Sequence, residues 1–136
     1  MTRHEQREQV FKLLFRVEFN SPEDMPEQIR LFCEDDEAAM SEKDAAYVSE
    51  RFSKIAAKIP ELDKLIDENT VGWDTTRIGK VEVTILRLAV YEILFDEEIP
   101  GSVAINEAVE IAKKYGQEAS GGFVNAILAK IIKLAG

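Results

Sequence analysis

The chain reads as an all-α protein, a single-domain bundle of about seven helices, and three observations carry that prediction. Ile85 to Phe95 is apolar on nearly all sides, interrupted only by Arg87, Tyr91 and Glu92. Such a segment belongs at the centre of a bundle, because a single buried stripe would use only about half of those positions. Flanking segments space their apolar residues by three and four, which is the helical period. No stretch combines sustained alternation with β-branched enrichment, so no sheet is expected.

Taken in order, Glu5 to Phe19 predicts a first helix, with Val10, Leu14 and Val17 on one face and Phe11 and Phe15 beside it. Residues four apart are neighbours on a helix surface, so those two rings stack along it. Asn20 to Pro26 reads as a linker. A second helix, about Glu27 to Glu34, turns Ile29, Phe32 and Cys33 inward, and the acidic run Glu34-Asp35-Asp36-Glu37 helps to stop it, since carboxylates are unfavourable at a helix C-terminus. Ser41 with Asp44 gives a capping signal. Ala45, Val48, Phe52, Ile55 and Ile59 then form the cleanest amphipathic pattern in the chain.

Pro60 ends that helix and opens the next at its first turn, where Leu62, Leu65 and Ile66 supply an apolar side. Val71-Gly72-Trp73-Asp74 is a break, with Trp73 as a buried anchor, and Thr75 to Lys80 a short helical turn leading into the central helix. Ile85 to Phe95, at eleven residues, is too short to span a bilayer. Ile99-Pro100-Gly101-Ser102 breaks the chain again, with Ser102 as the expected N-cap of the next helix. From Val103 to Tyr115, Ala104, Ala108, Ile111, Ala112 and Tyr115 share a face, and Gly116 is expected to end the helix in a left-handed conformation. After the loop Gln117 to Ser120, Val124, Ile127, Leu128 and Ile131 mark a last helix. The final three helices form a compact C-terminal bundle.

At 136 residues this is one domain with room for a real core. The lone Cys33 excludes an internal disulfide framework, the N-terminus carries no secretory signal, and no segment has the length of a transmembrane helix. A cytoplasmic protein is expected, with no membrane partner. The net charge is −9, and residues 21–50 hold ten acidic against two basic side chains. A chain this acidic is a poor generic nucleic-acid binder, because affinity for phosphate backbones rests on Lys and Arg. Local basic footprints remain at the N-terminus and at Lys113-Lys114.

The inventory for catalysis is thin. The single histidine, His4, lies in what reads as a frayed terminus, with no Cys–His or Ser–His–Asp constellation near it. Glu107 and Glu110 share a helix face, but a di-iron bundle needs Glu-x-x-His pairs and none occurs, so no metal or cofactor is expected. Gly121-Gly122 reads as a helix entry rather than a phosphate loop. Cys33 sits among acidic residues, which do not activate a thiol. An enzyme is not expected; a binding module is.

The C-terminal half carries a resemblance that sharpens this. Val81-Glu82, Ile85-Leu86-Arg87-Leu88-Ala89-Val90-Tyr91-Glu92, Ile99-Pro100, Val103 through Lys113, Gly116 and Phe123-Val124-Asn125, in this order and spacing, resemble the signature of the bacterial NusB family of transcription antitermination proteins. The match is at full strength over some 45 residues; Glu61-Leu62-Asp63, Gly72-Trp73 and the helix pattern extend it more weakly over the chain. It implies a two-subdomain fold, here 1–70 and 71–136. It implies a protein that binds NusE, a small-subunit ribosomal protein, and with it the single-stranded boxA element of nascent RNA. Such a protein serves the RNA polymerase antitermination complex in ribosomal RNA operons, with neither catalysis nor cofactor. The same fold occurs appended to some RNA methyltransferases; nothing follows it here, which favours a stand-alone factor. Family members exist as monomers or self-associate, so a homodimer is possible.

Carried over position by position, the resemblance assigns RNA contacts to Arg3, His4 and Arg7 in the N-terminal segment and to Phe123. Only Arg3 and Arg7 are clearly basic where the family is arginine-rich. Asn69 stands where the family often has an aromatic residue for stacking. Lys113 and Lys114 are a further basic footprint for RNA. On the NusE side the matching positions are Phe15 and Glu82. For Phe15 and Phe123, core packing and contact remain equal readings. Arg87, Glu92, Asn106 and Glu107 are expected to form a polar network pinning the central helix to the next one, because a buried guanidinium needs a carboxylate or carbonyl partner. The alternative function is a NusB-fold interaction module that keeps NusE but has little affinity for RNA.

Overall fold

The computed structural model describes residues 1–35, 40–70 and 77–135. Among the described residues seven α-helices follow one another: α1 (Arg3–Phe15), α2 (Met25–Glu34), α3 (Glu42–Ala56), α4 (Ile59–Glu68), α5 (Lys80–Phe95), α6 (Gly101–Tyr115) and α7 (Ser120–Ala135). No strand occurs among the described residues. Residues 1–56 form one compact unit and 57–136 another. Trp73, the Val71–Asp74 break, the first two residues of the Thr75–Lys80 turn and the Asp36-Glu37 end of the acidic run lie outside the described residues.

In the first unit, α1 starts two residues earlier than its apolar pattern suggests, because Thr2 closes a capping box. The Thr2 hydroxyl accepts from the Glu5 amide (3.1 Å), and the Glu5 carboxylate accepts from the Thr2 amide (3.0 Å). His4 therefore stands in an ordered first turn and not in a frayed end. The α-helix stops at Phe15 and gives way to a 3₁₀ turn, Arg16–Glu18, with the Asn20 side chain taking the Arg16 carbonyl at 2.9 Å. Val10, Phe11, Leu13 and Leu14 are buried and α1 packs on α3, whose Val48, Phe52 and Ile55 are buried in turn. Pro26 falls inside the first turn of α2, where its missing N–H costs nothing; Met25 and Phe32 are that helix's buried residues, with Ile29 and Cys33 only half-buried. The Ser41 cap is present: its hydroxyl accepts from the Asp44 amide and donates to the Asp44 carboxylate, both at 3.1 Å.

Asp44 and Glu5, like Glu27 beside Arg30, contribute to the acid sensitivity of this unit. Asp44 is held below its ordinary 3.8, first by the Gln6 amide (2.9 Å) and then by Ser41 and the chain's N-terminal ammonium. Glu5 is held below its ordinary 4.5, chiefly by the Thr2 amide and hydroxyl. A depressed native pKa means that the unfolded chain binds the proton more readily, so these groups stabilise the fold above the ordinary values and lose that contribution as pH falls through the native ones. Melting temperatures measured from pH 7 to pH 3 are expected to fall below about pH 4.5, and a Gln6→Ala, Thr2→Ala double variant to show a shallower acid limb.

The second unit is built around α5. Every residue from Val83 to Glu92 is buried, which is the all-round burial expected of a central helix, although Leu94 and Phe95 at its end are exposed. Each large aliphatic side chain so buried contributes about 1.5–3 kcal/mol of transfer free energy. Helices α4, α6 and α7 pack against it, and α6 packs on α7. The α3 pattern ends at Ala56, so Ile59 belongs to α4, with Pro60 in its first turn.

Two expected caps are different in the structure. Helix α6 begins at Gly101 with extended Pro100 as its N-cap residue (φ −59°, ψ 142°), whose carbonyl accepts from Val103 and Ala104. Ser102 is already helical and exposed, so it does not cap; an N-cap needs non-helical backbone. Gly116 is extended (φ −95°, ψ −166°), not left-handed. Glycine is required there for room: a Cβ would lie 2.8 Å from the Ala112 carbonyl oxygen and 2.6–2.7 Å from the Ser120 side chain. Gly116→Ala is accordingly expected to cost about 1–3 kcal/mol, read as a lowered urea midpoint with an unchanged slope.

Candidate functional site

The second unit presents a cleft of about 360 Å³ where the start of α5 meets the α6–α7 turn. Its walls include Arg77, Gly79, Glu82, Gln117, Ser120 and Phe123. Two residues that the sequence assigns to different ligands, Glu82 and Phe123, thus share one cavity. Phe123 is half-buried in the first turn of α7, so part of its ring faces the cleft instead of the core. Arg77, exposed, adds a guanidinium at the rim.

Glu82 is the third residue of α5, where a carboxylate is favoured by the helix dipole. Its Oε1 accepts from the Ser120 hydroxyl at 2.5 Å, and its Oε2 folds back over Gly79, leaving no room for a Cβ there. The same hydroxyl accepts from the Gln117 amide at 2.9 Å. Arg77, Gln117 and Ser120 were not legible as site residues. The one available signal was the Gly116–Ser120 spacing, which acquires meaning only once the turn has closed.

Lys113 and Lys114 are exposed near the end of α6. Lys113 lies 3.8 Å from Glu110, and Lys114 stands over the Tyr115 ring at 5.4 Å. A second groove of about 600 Å³, between α6 and the start of α7, is lined by Asn106, Lys113, Glu118 and Asn125 among others. Asn106 is exposed on that groove, so the expected polar network does not extend to it; two residues along a helix from buried Ala104, it points roughly the opposite way. Asn69 caps the end of α4, its side-chain amide donating to the Leu65 carbonyl at 2.8 Å.

Arg87 is pinned to the preceding helix. Its Nε and a terminal nitrogen donate to the two oxygens of Asp63 in α4 at 2.8 and 2.9 Å, with side chains 9% and 22% exposed. Asp63 is an acid that sequence reasoning did not name. Glu92 is buried and Glu107 half-buried. Every buried side-chain polar atom among the described residues has a hydrogen-bond partner.

In the first unit, Arg3, His4 and Arg7 occupy the first two turns of α1, and Arg3 and Arg7, four apart, lie on one face. Phe15 is half-buried in an aromatic ladder: its ring lies 6.2 Å from Phe11 and 5.0 Å, edge-on, from Phe19. Phe19 is 60% exposed, a contact candidate that its own four-residue spacing from Phe15 could have revealed. Among the described residues no helix is long and apolar enough to cross a membrane, and no three His, Cys, Asp or Glu are grouped to hold a metal ion.

The helices expose aromatic rings and basic side chains and hold one clamped carboxylate, the surface of an all-helical protein. The NusB family model matches residues 4–133, and the chain belongs to the NusB family. It is 51% identical over 96% of its length to the transcription antitermination protein NusB of Agathobacter rectalis, covering 98% of that protein. It is 48% identical, over 97% of its length and 99% of the relative's, to that of Lachnoclostridium phytofermentans. Among solved structures, T. maritima NusB superposes with a TM-score of 0.87 at 38% identity, over 98% of this chain and 92% of that one. A NusB chain solved with NusE and double-stranded RNA gives 0.78 at 26% identity, over 97% and 96%.

Proposed function

We propose that this chain is a non-catalytic, cytoplasmic transcription antitermination factor that binds boxA RNA together with NusE and joins the antitermination complex of RNA polymerase. The observation that carries the reading is the α5–α7 cleft, where a half-exposed ring, Phe123, stands with Arg77, Gln117 and the Glu82 carboxylate. Single-stranded RNA is read by stacking splayed bases on aromatic rings while basic side chains hold phosphates, and this cleft supplies both elements. In the first unit, Arg3, His4 and Arg7 on the ordered start of α1 support a phosphate contact. The Phe15–Phe19 edge and Glu82 suit a protein partner, one by apolar contact and the other by accepting hydrogen bonds.

A second reading, a module that binds NusE but little RNA, is favoured by one observation. Asn69 is occupied in closing α4 and offers no ring for stacking. A fluorescence titration of a boxA-like RNA against a scrambled control, with and without NusE and at two salt concentrations, separates the two. Sequence-selective binding that NusE strengthens is the expected result. NusE binding without RNA binding would select the second reading.

A further inference from the structure

Ser120 lines the cleft without having been assigned to either ligand, is 4% exposed, and joins three parts of the cleft through one oxygen. A hydroxyl has one proton to give. The Gln117 amide is itself a donor, so the Ser120 proton goes to Glu82 and its lone pair receives the amide. Glu82 is confined from the other side by Gly79, and Ser120 by Gly116, since a Cβ at either glycine would collide with the partner side chain. Phe123 follows Ser120 by three residues on the same helix, so the two lie on one face and line the same cleft.

We propose that Ser120 is a positioning residue that couples the partner-facing carboxylate of Glu82 to the turn from which Phe123 projects. This rests on the function proposed above. Its hydroxyl holds Glu82 in the orientation a protein partner's donors meet, and the same hydroxyl orders residues 116–120. A partner that engages Glu82 thereby favours the arrangement in which Phe123 is set for a base, and by linkage RNA favours the arrangement of Glu82 to the same extent.

The test is a double-mutant cycle on the full chain with Ser120→Ala, Glu82→Ala and both. NusE affinity and RNA affinity with and without NusE are each measured, beside thermal melts. Ser120→Ala is expected to weaken NusE about tenfold, to shrink the factor by which NusE strengthens RNA binding, and to add less than about twofold on the Glu82→Ala background. Independent losses that simply add, or wild-type affinities in a folded Ser120→Ala chain, overturn the role. A readout that needs neither ligand nor the Ser120 variant is amide exchange at Gln117. Glu82→Ala is expected to speed it, and unchanged exchange overturns the coupling. A wild-type chain that binds neither NusE nor RNA overturns the proposed function, and with it the role of Ser120 in recognition.

Discussion

Asp63→Ala is expected to lower the stability of the chain by about 3 kcal/mol, the scale seen when one member of a buried, bidentate ion pair is removed. The reason is the position of Arg87 and not the strength of the pair in itself. Arg87 lies in the middle of α5 with its side chain 9% exposed, in a stretch where Leu86, Leu88 and Val90 are buried as well. Removing the carboxylate takes away both of the charge-assisted hydrogen bonds that Asp63 offers to a guanidinium already largely withdrawn from water. Because Asp63 is 22% exposed, water reaches part of the site and holds the loss below the upper end of the range. For a domain of this size the change corresponds to a fall in melting temperature of roughly 10 °C. The discriminating variant is Asp63→Ala combined with Arg87→Met, which removes the charge and keeps apolar volume. It is expected to recover most of the stability, since a buried pair exchanged for packed apolar groups is often close to neutral. A double variant as unstable as Asp63→Ala alone would show that Arg87 does more than satisfy its charge.

Phe123→Ala is expected to weaken boxA-like RNA binding by about 1–3 kcal/mol, roughly 5- to 150-fold, while leaving NusE affinity within about twofold. The half-exposed ring contributes modestly to the core, so the melting temperature moves far less than it does for Asp63→Ala. Phe123→Tyr keeps the stacking face and is expected to retain binding. Loss of stability matching that of a buried aromatic, about 3–5 kcal/mol, with RNA affinity unchanged would assign the ring to the core instead. The slope of affinity against salt is the companion measurement. Phe123→Ala should leave it unchanged, whereas Arg3→Ala or Arg7→Ala should lower it by about one unit each if they touch phosphate.

The all-helical class, the central position of Ile85 to Phe95 and the buried faces of α3, α6 and α7 were legible because they follow from the period of apolar residues, a local property. Signature residues such as Glu82 and Phe123 were legible through family resemblance. Where local signals compete, they misled. Ser102 has the chemistry of a cap, but Gly101 already takes helical backbone after extended Pro100. Gly116 has the look of a left-handed terminator, yet its reason for being glycine is the Ser120 side chain pressed against it. His4 looked frayed because a capping box of two exposed residues leaves no trace in an apolar pattern.

The order and type of the helices, and the need for some partner to Arg87, were determined by the sequence itself. A helix is closed by hydrogen bonds four residues apart, and the cost of a buried charge is the same wherever its partner comes from. Which acid answers Arg87, and that Glu82, Ser120 and Phe123 meet in one cleft, were decided by tertiary structure alone. Asp63 lies 24 residues from Arg87, and Ser120 lies 38 from Glu82. Only the packing of α4 and α7 against α5 converts those separations into hydrogen-bond distances.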